Sequence, residues 1–267
     1  MADHQPPFFG HAGEVNGKLK KILSITPTYF PEIGGIESVV RELARRTTGH
    51  GVQVDVAHVS ARHSMFSESV VDGLNVYRVP VAGNRLVGYA RPRPLGRRLR
   101  PLHVHDPQMM MLTCNVLLQC RLIPAVLSTH GGFHHTKQHH AFKWLHEHLL
   151  MGRLLRHYRK ILADSQADAE YFTRFAAKTE MCEIGINYAK FQGGRGTGTP
   201  DPRKWVYWGR WSRNMRIDAI IDTLAMARDQ GIAIDLLIAG PDFDHLGDSL
   251  RAQISALRLE AAVRLHP

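Results

Sequence analysis

Cysteine is scarce in this chain. Its three copies, Cys114, Cys120 and Cys182, stand at no paired metal-ligand spacing, which fits a reducing cytosol and excludes a cysteine-built zinc module. A long unbroken apolar run is also lacking. The most apolar stretch, 109–127, is interrupted by Asn115, Gln119, Arg121 and Pro124, so it reads as a core helix followed by a strand and not as a membrane span. The first seventeen residues have neither a basic start nor an apolar core and read as a polar tail, not a signal peptide. Acid is the minority charge: 24 Asp and Glu face 34 Lys and Arg, a net charge of +10. Nucleic acid is not expected as the partner, because no recognised binding motif and no aromatic–basic interleaving accompany that charge. Arg91, Arg93, Arg97, Arg98 and Arg100 concentrate part of it. They read either as a solvated loop or as a patch for anionic lipid headgroups or a lipid-linked pyrophosphate.

What is present is an alternation of strand and helix signals. Lys20–Ile25 reads as a first strand. Apolar positions Ile36, Val39, Val40, Leu43 and Ala44 then follow helical spacing from a double glycine. Val52–Val59 and Leu74–Val79 read as strands, the latter after the turn at Asp72-Gly73, and Leu102–His105 as a short one. Asp106 caps a predicted helix that has Pro107 in its first turn. Ile123–Leu127 is a strand, 141–160 a long amphipathic helix rich in His and Arg, and Ile161–Ala163 another strand. Ser165 and Asp168 open the next helix as a capping pair. Beyond a linker, Lys204–Trp208, Ile234–Ala239 and Ala262–Leu265 read as strands, with helices over Ile217–Gln230 and Ser249–Leu257 between them. The expected organisation is a disordered tail over 1–19, a doubly wound parallel-sheet domain over 20–190, a linker over 191–203, and an incomplete second Rossmann-like domain over 204–267.

The residues with chemical potential sit at strand ends, where open α/β sheets bind ligands. His130 follows the Ile123–Leu127 strand and precedes Gly131 and Gly132, so it reads as a base, a sugar-hydroxyl contact, a metal ligand or a structural histidine. Gly34 and Gly35, at a helix amino terminus, read as an anion site or a tight turn. Arg210, after Gly209, suits bidentate contact with a diphosphate or a surface ion pair. Asp106 and Ser165 are helix caps first and lining groups second. Two metal readings are weak: His135 and His139 on one helical face lack further ligands at a known spacing, and Asp242-Phe243-Asp244 looks like a strand-to-helix turn. The glycines of 193–200 include G-x-G spacing but neither follow a strand nor open a helix, which argues against a nicotinamide-dependent oxidoreductase.

Taken in order, several segments resemble the retaining glycosyltransferases of family 4. They are Pro27-x-x-x-Pro31-x-x-Gly34-Gly35-x-Glu37, His103-x-His105-Asp106, Thr129-His130-Gly131-Gly132, Ala163-x-Ser165 and Gly209-Arg210-x-Ser212. The resemblance spans roughly residues 20–267 and implies the two-Rossmann GT-B fold. Within the family, His105-Asp106-Pro107-Gln108 and the run from His130 to Gln138 are similar to exopolysaccharide mannosyltransferases. The implied activity is retaining transfer of mannose from GDP-mannose to a polyprenyl-diphosphate-linked cellobiose, peripheral to the inner face of the cytoplasmic membrane, with no metal or other cofactor. The resemblance puts His130 on the transferred sugar, Gly34, Gly35, Ser165 and Arg210 on the donor side, and Asp106 on the acceptor side. It also exposes departures. Met215 stands where the family has a Lys five residues after the Arg, so Arg213 or Arg216 would have to serve. The segment between Val81 and Leu102 is short, His134 stands where a second aromatic would follow Phe133, and the family's E-x7-E motif has no counterpart in these 267 residues. These departures suggest a carboxyl-terminally truncated or decayed copy, with a non-catalytic remnant binding acceptor lipid or membrane as the alternative to an active enzyme.

Overall fold

The computed structural model describes residues 20–32, 34–60, 65–82, 89–90, 101–105, 122–131, 146–194 and 199–267. The chain divides into two compact units, Met1–Asn187 and Tyr188–Pro267. The expected tail over 1–19, the helix after Asp106, the basic cluster of 91–100 and His134 to His140 lie outside the described residues.

The first unit is built on a sheet of β1 (Lys20–Thr26), β2 (Val52–Ser60), β3 (Ser67–Val71), β4 (Leu74–Ala82), β5 (Tyr89–Ala90), β6 (Leu102–His105), β7 (Ala125–Ser128), β8 (Lys160–Ala163) and β9 (Thr179–Met181). The spatial order is β3-β4-β2-β1-β6-β7-β8-β9, with β5 on β4. Every pairing from β4 across to β9 is parallel, and β3 and β5 pair antiparallel to β4. Strand order reverses between β1 and β6, which makes the carboxyl ends of these two strands the topological switch point.

The central strands are buried on both faces, as a parallel sheet requires. In β2, Val54 and Val56 pack with Val40 and Ala44 of α1 (Gly35–Gly49), while Ala57 and Val59 join Leu23, Ile25, Val104 and Leu127 on the other face. At ~25 cal/mol per Å2 of apolar surface, each buried Val, Leu or Ile among these contributes about 2 kcal/mol relative to exposure, and each Ala less.

The structure differs from the sequence reading at five places. The helix expected over 141–160 is, where described, a π-helical turn at His146–Met151 followed by α2 (Gly152–Leu155). The chain leaves it because Tyr158 is drawn fully into the core and the Arg159 N–H donates to Ala125 O, 2.7 Å, as the backbone joins the sheet. The strand expected from Ile123 begins at Ala125, after Pro124. Strand β3 had no sequence signal, since four of its five residues are exposed; a turn with Asp72 at φ 51° and Gly73 at φ 78° folds it onto β4. Strand β9 was likewise not foreseen. The segment Tyr188–Gly194, expected to begin as linker at 191, forms a 3-10 helix.

The second unit has a three-stranded parallel sheet of β10 (Lys204–Trp208), β11 (Asp235–Ala239) and β12 (Val263–His266), in that order. Helices α4 (Ile217–Asp229) and α5 (Gly247–Ala256) supply Ile217, Ile221, Leu224, Leu250 and Ile254 to a core with Trp211, Leu236 and Ile238. Strand β11 buries Leu236 and Ile238 and turns Leu237 outward, so one face of the sheet is covered and the other is open. Gly240, at φ 132°, lies so close to Gly209 that any Cβ would collide with the Gly209 carbonyl, which locks the ends of β10 and β11 together.

Candidate functional site

Strand alternation produces the main polar cluster. In β6, Leu102 and Val104 enter the core, so His103 and His105 share the opposite face. Their rings lie 4.0 Å apart between centroids. Strand β7 lies alongside in register, with His105 opposite Ser128. Ser128 Oγ and His103 Nε2 share a hydrogen bond of 2.8 Å. His130, two residues further on, shares one of 2.8 Å between its Nε2 and His105 Nδ1. Three imidazoles thus line up at the carboxyl ends of β6 and β7, beside the switch point.

His130 is held there by its backbone. It adopts φ 50° and Gly131 adopts φ 75°, a left-handed pair that costs about 1 kcal/mol at a non-glycine residue. The carboxylate of Asp168 closes this turn from both sides: Thr129 Oγ1 donates to it, and so does the Gly131 N–H at 3.1 Å. Asp168 reaches the turn because Ser165 caps α3 (Gln166–Thr173), its Oγ accepting from the Asp168 N–H at 3.2 Å. The expected capping pair is therefore half reciprocal, since the Asp168 carboxylate braces the His130 turn instead of returning to Ser165. Ser165 itself serves as a cap.

Burial sets the electrostatics. It holds His103 at about 4, helped by the neighbouring His130, and drives His105 well below the usual imidazole range. It also lowers His130 to about 4 against the opposing pull of Asp168. All three rings are neutral at ordinary pH, so His130 works as a hydrogen-bonding group and brings no formal charge to a phosphate. Asp164 is pushed upward by burial first and then by its bond and proximity to Asp168.

At the start of α1, Gly34 is extended (φ −165°) and no side chain caps the helix. A Cβ on Gly34 would collide with the Glu37 carboxylate, whose other oxygen accepts from Thr28 Oγ1. A side chain at position 34 would thus have to displace the Glu37 carboxylate from its bond with Thr28, while a Cβ on Gly35 meets open space. The Glu37 carboxylate already complements the positive end of this helix.

In the second unit Arg210 follows β10 and is exposed, with its guanidinium carbon 5.3 Å from the centre of the Phe243 ring. The Tyr207 hydroxyl donates to its carbonyl at 3.0 Å. Met215 is 42% exposed. Of its basic neighbours, Arg216 is engaged by Asp218, donating from Nε to both carboxylate oxygens at 3.1 and 3.2 Å. Arg213 has its backbone N–H on Asp244. Both arginines line a cavity of about 280 Å3 with Ser212, Asp218, Ser249 and Gln253. The D-x-D carboxylates hold backbone: Asp242 accepts from the N–H groups of Leu246 and Gly247 at 2.7 and 2.8 Å, and Asp244 accepts from Arg213 at 2.9 Å. Among the described residues no group of three His, Cys, Asp or Glu gathers to hold a metal ion.

The structure brings His130 together with His105, His103, Ser128 and the Ser165–Asp168 pair in the first unit, and puts Arg210 in the second. Asp106 lies outside the described residues. Sequence reasoning missed the site roles of Thr129 and Asp168. The one available signal was an acid at the third position of a helix that follows a strand, which reads equally as a cap.

A family model for Glycosyltransferase Family 4 matches residues 33–188, more than half of the chain. The chain is 26% identical over 255 residues to the GDP-mannose:cellobiosyl-diphosphopolyprenol alpha-mannosyltransferase of Xanthomonas campestris, covering 92% of this chain and 66% of that protein. It is 28% identical to the protein of the same name from Komagataeibacter xylinus, again over 92% of this chain and 64% of the relative. The chain therefore spans just under two thirds of the length of these relatives. Among solved structures, Anabaena HepE in complex with UDP and glucose superposes with a TM-score of 0.59 at 15% identity, over 92% of this chain and 68% of that one. WaaG, a glycosyltransferase of lipopolysaccharide biosynthesis, gives 0.60 at 10% identity, over 91% and 69%. These likenesses establish the GT-B fold class. The chain belongs to glycosyltransferase family 4.

Proposed function

We propose that this chain carries out retaining α-mannosyl transfer from GDP-mannose to a polyprenyl-diphosphate-linked cellobiose in exopolysaccharide synthesis. The observation that carries the reading is His130, neutral, braced in a left-handed turn and presented at the carboxyl end of β7 beside the switch point. A neutral imidazole there suits a sugar hydroxyl, and the Arg210 guanidinium suits a diphosphate. In the reaction the bond from mannose C1 to the GDP oxygen breaks and the acceptor hydroxyl oxygen bonds C1 on the same face. The hydroxyl proton passes to the departing phosphate oxygen. The protein's share is electrostatic: donors aimed at the diphosphate as its charge develops. Gly35, with open space at its Cβ position, would let a diphosphate approach the α1 amino terminus, with Gly34 beside it. Asp106, next to His105 in sequence, would serve the acceptor. No metal takes part in this reading.

The acceptor is lipid-linked, so the protein works at the inner face of the cytoplasmic membrane as a peripheral protein, drawn there by its basic charge. No helix among the described residues is long and apolar enough to cross a membrane.

The test is radiolabel transfer from GDP-mannose to lipid-linked cellobiose, beside calorimetry with GDP. Transfer that falls about a hundredfold in both His130→Ala and Arg210→Ala is expected. Absence of both transfer and GDP binding in the unmodified chain would refute the reading. A second reading, acceptor binding without turnover, is favoured by uncharged Met215 and by Arg216 being tied to Asp218. It predicts binding of lipid-linked cellobiose with no transfer, and a gain of transfer in Met215→Lys.

A further inference from the structure

The hydrogen bond between His105 Nδ1 and His130 Nε2, 2.8 Å, contains one proton, because each ring is neutral and a neutral imidazole has one N–H and one bare nitrogen. Two arrangements satisfy it. If His130 Nε2 carries the proton, His105 must carry its own on Nε2. That atom is buried and has no hydrogen-bond partner, in a residue with no exposed surface. If His105 Nδ1 carries the proton, the buried Nε2 is a bare lone pair instead. A buried N–H without an acceptor is the rarer and costlier defect, whereas an unsatisfied acceptor is better tolerated.

We infer that His105 is a positioning residue that fixes His130 in its Nδ1–H tautomer, so that His130 meets its ligand as a hydrogen-bond donor and not as a base. The proton sits on His105 Nδ1 and points at His130 Nε2. His130 Nε2 is then the acceptor, and its own proton lies on Nδ1, the ring nitrogen not engaged by His105. His103, packed against His105 at a tilt of 37° and bonded to Ser128 Oγ, limits rotation of the His105 ring. The Asp168 brace fixes the backbone of His130, so ring and main chain are held from two directions. The ligand chemistry that fits is an uncharged oxygen with a free lone pair, such as a sugar hydroxyl. Identifying that oxygen as belonging to the transferred sugar rests on the mannosyltransferase reading; the tautomer does not.

The experiment is long-range 1H–15N correlation NMR on the full chain with 15N-labelled histidine at neutral pH, assigned with His130→Gln. The expected spectrum gives His130 a protonated Nδ1 and a bare Nε2. In His105→Phe the donor is lost and His130 reverts to the Nε2–H form that free histidine favours in water. In His105→Asn a side-chain N–H stands near the position of Nδ1, and the Nδ1–H signature of His130 is retained. A protonated Nε2 on His130 in the unmodified protein overturns the proposal, as does an unchanged His130 signature in a folded His105→Phe. An Nδ1–H signature in a chain that neither transfers mannose nor binds GDP counts against the mannosyltransferase reading and leaves the positioning role intact. Where transfer is measurable, His105→Phe lowers kcat about tenfold with KM little changed, and His105→Asn recovers most of it.

Discussion

The two units use the same strand–helix grammar and treat their polar residues in opposite ways. In the first, β1, β6 and β7 lie inside a parallel sheet, and the polar groups of their carboxyl ends are buried and interlocked: Thr129 and His105 have no exposed surface, and Asp168 is 5% exposed. In the second, the sheet of β10–β12 packs its helices on one face only. Trp208 is 87% exposed, and Arg210 rests in the open against Phe243. Burial on both faces turns ordinary histidines into neutral, oriented hydrogen-bonding groups. An open face leaves Arg210 exposed, steadied by the Phe243 ring and not by a buried hydrogen-bond network. A site contact made by His130 is therefore organised before any ligand arrives, whereas one made by Arg210 has to be ordered by the ligand itself.

That contrast can be broken most forcefully at Asp168. Asp168→Ala strands the Thr129 hydroxyl and the Gly131 N–H in a buried turn, and a loss of ~3 kcal/mol in unfolding free energy is expected from urea titration. Hydrogen exchange should accelerate over 125–131 and stay unchanged over 235–239. Equal acceleration in both units would contradict the distinction drawn between them.

Acid should weaken the first unit by a comparable amount. His103 and His130 sit near 4 when folded against 6.5 when unfolded, so the unfolded chain binds more protons between those values. Stability is complete above about pH 6.5 and falls as the pH drops towards 4. The loss is on the order of 3 kcal/mol for His130 alone, at ~1.4 kcal/mol per pKa unit. Urea midpoints measured at pH 7 and pH 5 check this, and His130→Gln should flatten the dependence.

A smaller effect belongs to the second unit's core. Trp211 is fully buried with its indole N–H unpartnered. Trp211→Phe removes that unsatisfied donor while leaving a void, two terms of similar size and opposite sign, so a net change within about 1 kcal/mol is expected. A thermal melt showing a loss of several kcal/mol would mean that the N–H does have a partner. At the bottom of the scale, Arg210→Ala should change stability by less than ~0.5 kcal/mol while weakening GDP binding, which separates a ligand contact from a structural one.

Much of the fold was legible because the signals were local. The helical spacing from Ile36 to Ala44, the β-branched run of β2, and the strand–helix alternation after Lys204 each report their own element. His130 was legible as a candidate because a histidine and two glycines close an apolar strand. Less was legible where long-range packing decided the outcome. The helix expected to continue to Lys160 stops at Leu155 because Tyr158 and the Arg159 N–H are claimed by the core and by Ala125. Asp168 looked like a cap, and only the neighbouring strand end gave its carboxylate a second task.

The sequence alone determined that this protein is a parallel α/β chain of the glycosyltransferase type with histidines and glycines at strand ends, because strand period, capping chemistry and ordered short motifs are properties of neighbouring residues. Tertiary structure alone decided that His103, His105 and His130 form one neutral, directional column. That outcome depends on β6 and β7 lying side by side in a single register, on burial removing water from the rings, and on an aspartate 38 positions further along the chain folding back to hold the turn.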